Sequence, residues 1–323
     1  MIVLNPEAAI TDANQPALEP LASYLASISN VKSRATMLNA LSVISGILTE
    51  GEMWVDGHKA DPRFVSWHSL SAAHTGLIRS RLAETYNHTT VNKMLSALRG
   101  VIKEAWRLGY MTAEAYQRAT DFKNVKGETL PVGREIAEGE ILALVRACKA
   151  DKSPAGARDI AIIGVLRIGL RRSELVSLHT ADFDAETGKL KVLQGKGRKQ
   201  RTVYLTNGSL DALKAWLAVR STEAGALFTP INKGGKIDIR PMTDQSVYNM
   251  LKKRGKQAKL KNFSPHDFRR TFVGDLLDRG ADIVTVQKLA GHASVNTTAR
   301  YDRRPEAVKQ KASELIYFPF EAE

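Results

Sequence analysis

Between Asp121 and Ile136 the sequence DFKNVKGETLPVGREI drops the helical spacing that runs before it and gathers Gly127, Pro131 and Gly133. Such a stretch reads as an interdomain linker, and it divides a chain of 323 residues into two parts, each able to bury its own core. Upstream, Leu21, Leu25 and Ile28, then Leu38, Leu41, Ile44 and Leu48, then Val91, Leu95, Leu98 and Ile102 recur at helical intervals. Residues 1–120 therefore read as a helical bundle, with Trp106 and the stripe around it in the core. Thr89 and Thr90 are placed to cap the last of these helices, whose other face carries Lys93, Arg99 and Lys103.

Downstream of the linker, taken as 121–135, residues 136–323 form the second domain. Helices are expected over 138–149, 157–168, 209–219, 243–253, 265–277 and 282–289. LKVLQ and RTVYL read as short strands around the basic turn GKGRKQ. The fold class is mainly α with a small β-sheet.

Charge narrows the partners. Lys and Arg number 47 against 34 Asp and Glu, a formal +13, so the field favours polyanions and nucleic acid leads. The longest apolar stretch, 160–166, falls far short of the roughly 20 residues a membrane span requires. The amino terminus has no basic leader, and the single cysteine, Cys148, has no intrachain partner, which together suggest a reducing, cytoplasmic setting. His58, His68, His74, His88 and His179 show no metal-ligand spacing.

Five segments then follow in order: GLRRSEL at 169–175, QGKGRKQR at 194–201, HDFRR at 266–270, LAGH at 289–292 and TTARY at 297–301. Together they resemble the tyrosine recombinase, or phage integrase, family, whose tyrosine lies nine residues beyond its second histidine, as Tyr301 lies beyond His292. Each motif alone is weak; order and spacing give the match its force. Phe268, Ala290 and Arg303 depart from the usual pattern without removing a catalytic group. TTVNKMLSALRGVIKEAWRLG looks like the last helix of the family's SAM-like core-binding domain. The resemblance thus implies a helical core-binding domain, an α/β catalytic domain and a carboxy-terminal exchange helix. It is closer to simple Xer-like or mobile-element recombinases than to the larger phage integrases, since the stretch before Leu21 is too short for an arm-site domain.

The chemistry asks for the same residue types. Attack on a phosphodiester loads negative charge on two nonbridging oxygens, which a guanidinium can bind in a fixed fork. Arg171 and Arg269 are the candidates for that clamp, and with them in place no metal or other cofactor is required. A tyrosine, with a pKa of about 10, needs a base to attack near neutrality. His266 is the candidate, placed by the resemblance beside the phosphate, with His292 donating to a nonbridging oxygen. Lys196 would protonate the leaving 5′ oxygen, a role the resemblance also implies. Because phosphotyrosine retains the bond energy, rejoining needs no ATP, and the chain has no Walker A sequence. Glu174 is expected to support the site rather than react.

Lys191, Lys196, Arg198, Lys199 and Arg201 lie within eleven positions, and Lys252, Lys253, Arg254, Lys256, Lys259 and Lys261 form a second run. Beside a phosphate site these are expected to contact the duplex backbone. The resemblance supplies a 3′-phosphotyrosyl intermediate, a Holliday junction and a tetrameric synapse, from a chain that is monomeric off DNA and associated with the nucleoid. PEAVKQKASELIYFPF after the nucleophile reads as a short helix and an apolar cluster, docked by resemblance into a neighbouring subunit. Two alternatives stay open: a type IB topoisomerase, which reseals the same strand, and a DNA-binding repressor on a decayed recombinase fold.

Overall fold

The computed structural model describes residues 18–49, 61–127, 133–193 and 200–302, with 310, 313–316 and 319 of the tail. The chain divides into two compact units between residues 130 and 131.

In the first unit the described helices are α1 (Leu18–Ser27), α2 (Val31–Leu48), α3 (Ala72–Thr85), α4 (His88–Arg107) and α5 (Ala113–Thr120). Its centre is α4, where Val91, Leu95, Leu98, Val101 and Ile102 are fully buried against Leu41 and Ile44 of α2 and Ile78 and Leu82 of α3. At ~1.5–3 kcal/mol for each large aliphatic side chain removed from water, this stripe supplies the unit's main stabilisation. Three details differ from expectation. The cap of α4 is Asn87, whose side chain accepts from Thr90 N, while Thr89 donates to that same Asn87 oxygen. Trp106 is not core: it is 37% exposed and stacks on Tyr116 with ring centroids 5.0 Å apart. The linker is shorter than 121–135, because Phe122 and Val125 pack on this unit's core and Asn92 holds both backbone polar groups of Val125.

The second unit runs α6 (Glu138–Lys149), α7 (Pro154–Arg167), α8 (Arg172–Val176), β1 (Lys189–Leu193), β2 (Gln200–Tyr204), α9 (Asn207–Val219), α10 (Asp244–Gln257), α11 (Pro265–Asp278), α12 (Ile283–Ala290) and α13 (Val295–Ala299). The described sheet is one antiparallel pair, β1 with β2, in a register that sets Leu190 opposite Val203 and Val192 opposite Arg201. The chain is thus mainly helical with a small sheet. Helix α7 is buried along most of its length, through Ala161, Ile162, Ile163, Val165 and Leu166, and packs on α6 and α9. None of the described helices is long and apolar enough to cross a membrane.

Arg254, expected on the DNA face, is a correction. It is 1% exposed, and its guanidinium bonds Asp151 at 2.6 Å and Asp159 at 2.7–2.8 Å. Asp159 also holds Arg158, which reaches the Thr229 carbonyl at 3.1 Å. The reason lies in the helix period: position 254 continues the buried row Val247, Met250 and Leu251.

Candidate active site

Four turns of chain converge on one pit. GLRRSEL begins with Gly169 at φ +87°, a conformation that favours glycine, and a Cβ there would stand 2.3 Å from the Phe272 ring. That turn buries Leu170 and makes Arg171 the residue that opens α8, with Glu174 reaching back to accept from Arg171 N at 2.8 Å. Arg171 also donates from Nη1 to Glu174 at 2.7 Å and from Nη2 to the Gly291 carbonyl at 2.9 Å.

HDFRR opens α11, where the Asp267 carboxylate accepts from Ser264 N at 2.7 Å and from the Ser264 hydroxyl at 3.1 Å, and Pro265 occupies the first turn. His266 and Arg269, three residues apart, share a helix face. Arg269 is 2% exposed and donates from Nη1 to the Gly169 carbonyl at 2.7 Å. Its Nη2 is buried without a hydrogen-bond partner among the described residues, and no carboxylate pairs with it there. Burial first, and then the charge of Arg171, pull its pKa down to about 10.

LAGH ends α12. Gly291 takes the left-handed conformation at φ 65°, which reverses the chain and turns His292 inward. Gln287 grips His292 at both backbone groups, accepting from its N–H and donating to its carbonyl, each at 3.0 Å. The His292 ring is 9% exposed, and its Nδ1 stands 2.8 Å from the hydroxyl of fully buried Thr298. Burial, then Arg269, Arg171 and His266, bring its pKa to about 4.

TTARY carries α13 into Tyr301. The phenol oxygen lies 3.3 Å from His266 Nε2, and the ring stacks on His292 with centroids 6.1 Å apart and planes 18° apart. The Arg270 guanidinium lies 5.8 Å from the ring centroid. His266 is open to solvent on one side, yet partial desolvation, then Arg269, keep its pKa below the usual imidazole range. It is therefore neutral near pH 7 and able to accept a proton.

Arg201 is the second correction. Its side chain is 9% exposed, donates to both oxygens of Glu174 at 2.8 and 2.9 Å, and reaches the Leu289 carbonyl at 2.9 Å. It braces the pit instead of facing a duplex. Burial opposes the charge on Glu174, but the hydrogen bonds from Arg201 and Arg171 outweigh it and hold the pKa below the ordinary glutamate value. Three guanidiniums, Arg171, Arg201 and Arg269, thus gather around one carboxylate. The excess positive charge, together with a buried Nη2 amino group whose two N–H donors are unspent, describes a receptor for an anion.

A cavity of about 400 Å³ opens here, lined among others by Arg171, Arg172, Tyr248, His266 and Arg269. Arg172 and Tyr248 were not among the expected site residues. The Tyr248 ring has Arg172 and Lys252 at 5.7 and 5.6 Å from its centroid. The adjacency of Arg172 to Arg171 was the available signal; nothing in the sequence pointed to Tyr248. Lys252 and Lys253 are exposed on α10, as are Lys93 and Lys103 on α4. Arg99 instead lies over the Phe122 ring and donates to Phe122 O and Asn124. Lys196, Arg198 and Lys199 lie outside the described residues. No three His, Cys, Asp or Glu side chains gather into a metal-binding group among the described residues.

Residues 134–307 match the phage integrase family. The chain is 33% identical over 223 residues to tyrosine recombinase XerA of Pyrococcus furiosus, covering 68% of this chain and 72% of that protein. It is 29% identical over 321 residues to tyrosine recombinase XerC of Bifidobacterium longum, covering 90% and 82%. Among solved structures, the Tn1549 transposon integrase in complex with transposon right end DNA shares the fold at a TM-score of 0.65 and 16% identity, covering 93% of this chain and 99% of that one. The XerH site-specific recombinase bound to palindromic difH substrate shares it at 0.64 and 21%, covering 92% and 93%.

Proposed function

Because this chain belongs to the phage integrase family of tyrosine recombinases, we propose that it is a site-specific recombinase that breaks and rejoins duplex DNA through Tyr301. The observation that carries the reading is the pairing of the Tyr301 hydroxyl with neutral His266 beside a pit of excess arginine charge. As the phenol oxygen attacks phosphorus, its proton passes to His266 Nε2. Arg171 and the unspent Nη2 of Arg269 take the charge that builds on the nonbridging oxygens, with His292 as a further donor. Lys196 protonates the departing 5′ oxygen, leaving a 3′-phosphotyrosyl bond. A 5′ hydroxyl from a second duplex reverses the attack, and two such exchanges pass through a Holliday junction. The arginines fill the place a divalent ion would hold, so the reaction runs without a cofactor. Lys93, Lys103, Lys252 and Lys253 serve the duplex backbone, and the first unit acts as the core-binding domain.

Incubation with a nicked half-site duplex tests this. Wild-type protein is expected to form a denaturation-resistant protein–DNA adduct, and Tyr301→Phe to bind the same duplex without forming one. An adduct that persists in Tyr301→Phe rejects the assignment. Exchange between two duplexes, rather than resealing of one strand, separates recombination from topoisomerase action.

The same reading includes assembly of four copies on DNA. Leu315 and Ile316 of the tail are 83% and 79% exposed, and an apolar groove of about 560 Å³ between α6, α7 and α9, lined by Ile141, Val145, Ile160 and Ala212, matches their chemistry. The occupant is the tail of the next copy. Truncation after Arg304 is expected to leave half-site binding intact and to remove cooperative binding to paired half-sites; undiminished cooperativity overturns the arrangement.

A further inference from the structure

A neutral imidazole carries one N–H, and which nitrogen holds it decides whether His292 can serve an anion. Threonines elsewhere in these helices donate to the carbonyl four residues back: Thr36 to Lys32 O, Thr85 to Arg81 O, Thr120 to Tyr116 O and Thr271 to Asp267 O. Thr298 does not. It is fully buried, and the partner of its hydroxyl among the described residues is His292 Nδ1 at 2.8 Å.

We propose that Thr298 is a positioning residue, whose hydroxyl donates to His292 Nδ1 and so fixes the imidazole as its Nε2–H tautomer, with that N–H facing the anion pit. The proton inventory supports this. Were Nδ1 protonated, it would donate to the threonine oxygen, and the Thr298 hydroxyl proton would be buried with no acceptor. Nε2 would then present a lone pair, which repels a phosphate oxygen. With Nδ1 accepting, both buried groups are satisfied and Nε2 carries a donor that has no partner among the described residues. Double protonation is opposed first by burial and then by the cations Arg269, Arg171 and Arg201 around the ring, which fits its low pKa. Ring orientation is held as well, by the Gln287 clasp on the backbone and by the stack on Tyr301. The sequence that separates the second histidine from the nucleophile is therefore more than a spacer. It places on one short helix the group that sets the histidine's proton, three residues before the group that attacks.

This inference rests on the recombinase reading only for its effect on rate. The tautomer itself is open to 15N-histidine NMR on the DNA-free full chain between pH 6 and 8, with His292 assigned by its loss in His292→Gln. A single Nε2–H tautomer is expected. Thr298→Val, which keeps the shape and removes the hydroxyl, is expected to lose that single state. It should also slow single-turnover cleavage of a nicked duplex by about 10- to 100-fold at unchanged half-site binding, while Thr298→Ser restores both. An Nδ1–H tautomer in the wild-type protein overturns the proposal, whether or not the valine variant folds. So does a valine variant that is slow with its tautomer unaltered, because the hydroxyl would then be merely structural. If the wild-type chain formed no adduct on any duplex, the recombinase reading would fall while the spectrum still decided the role of Thr298.

Discussion

Replacing Arg269 by methionine is expected to make the DNA-free protein more stable while ending cleavage. The guanidinium is 2% exposed, faces Arg171, has no carboxylate of its own among the described residues, and keeps its Nη2 amino group unspent. Burial and Arg171 lower its pKa from the ordinary arginine value to about 10, and at ~1.36 kcal/mol per pH unit that is a cost of ~3 kcal/mol for holding the charge in the fold. The sign follows from linkage: a cation whose folded pKa lies below its unfolded value opposes folding at every pH below the folded one, so the whole cost is present at pH 7. Against it stands the bond to the Gly169 carbonyl, worth ~1 kcal/mol, which methionine forfeits. A net gain of ~1–2 kcal/mol raises the midpoint by roughly 2–8 °C in a unit of this size. Thermal unfolding without DNA reads the change, and a nicked-substrate assay reads the lost activity. Addition of duplex should reverse the order, since only the wild-type protein recovers the cost when a phosphate meets the charge. A DNA-free Arg269→Met protein less stable than wild type by more than ~1 kcal/mol would refute the view that this charge is held against the fold's interest.

Three further outcomes are expected. His292 titrates near pH 4 when folded against about 6.5 unfolded; its folded pKa is the lower, so its contribution is fully present above 6.5 and lost as pH falls toward 4. Urea titrations across that window should show a loss of up to ~3 kcal/mol, flattened in His292→Gln, and an unchanged slope in that variant would place the ring in solvent. Arg254→Met should destabilise, by less than the ~3–5 kcal/mol of a fully stranded buried charge, because it empties Asp159 Oδ2 while Arg158 still holds Oδ1, whereas Lys252→Ala should leave stability near wild type and lower the salt dependence of duplex binding by about one phosphate contact. Adduct formation should survive excess EDTA, and loss of cleavage restored by magnesium would show that the arginines do not suffice.

The gathering of Arg171, His266, Arg269, His292 and Tyr301 in one pit was legible because it is tied to local backbone devices that leave marks in sequence: the glycine before Arg171, the Ser-Pro entrance to the helix of His266, the glycine that turns His292 inward. Basic runs were poorer guides, since composition does not say which side of an element a charge occupies. Arg254 could have been read correctly from its place one turn beyond Met250 and Leu251, and Arg201 from its place two residues before buried Val203 on a strand. Tyr248 lines the cavity and Thr298 touches His292 through one hydroxyl, and no periodicity marks either. The helical architecture followed from apolar spacing, while the extent of the linker did not, because Phe122 and Val125 lie past the last helix of their unit and pack by side-chain contact alone.

The stretch of chain that enters the second unit is fastened directly to α11. Arg134 N donates to Asp267 at 3.1 Å, and the Arg134 side chain grips Glu140 and the carbonyls of Lys261 and Asn262. Ile136 N donates to Thr271 at 2.9 Å, one turn farther along α11. Asp267 lies between His266 and Phe268, and its carboxylate also accepts from the N–H of Ser264, the cap residue of α11, at 2.7 Å. A pull on the linker is therefore borne first at the base of the helix that carries His266 and Arg269, before it can be dissipated through the hydrophobic core. Displacing residues 134–136 would therefore turn His266 and Arg269 together, because both ride on the helix to which that stretch is tied.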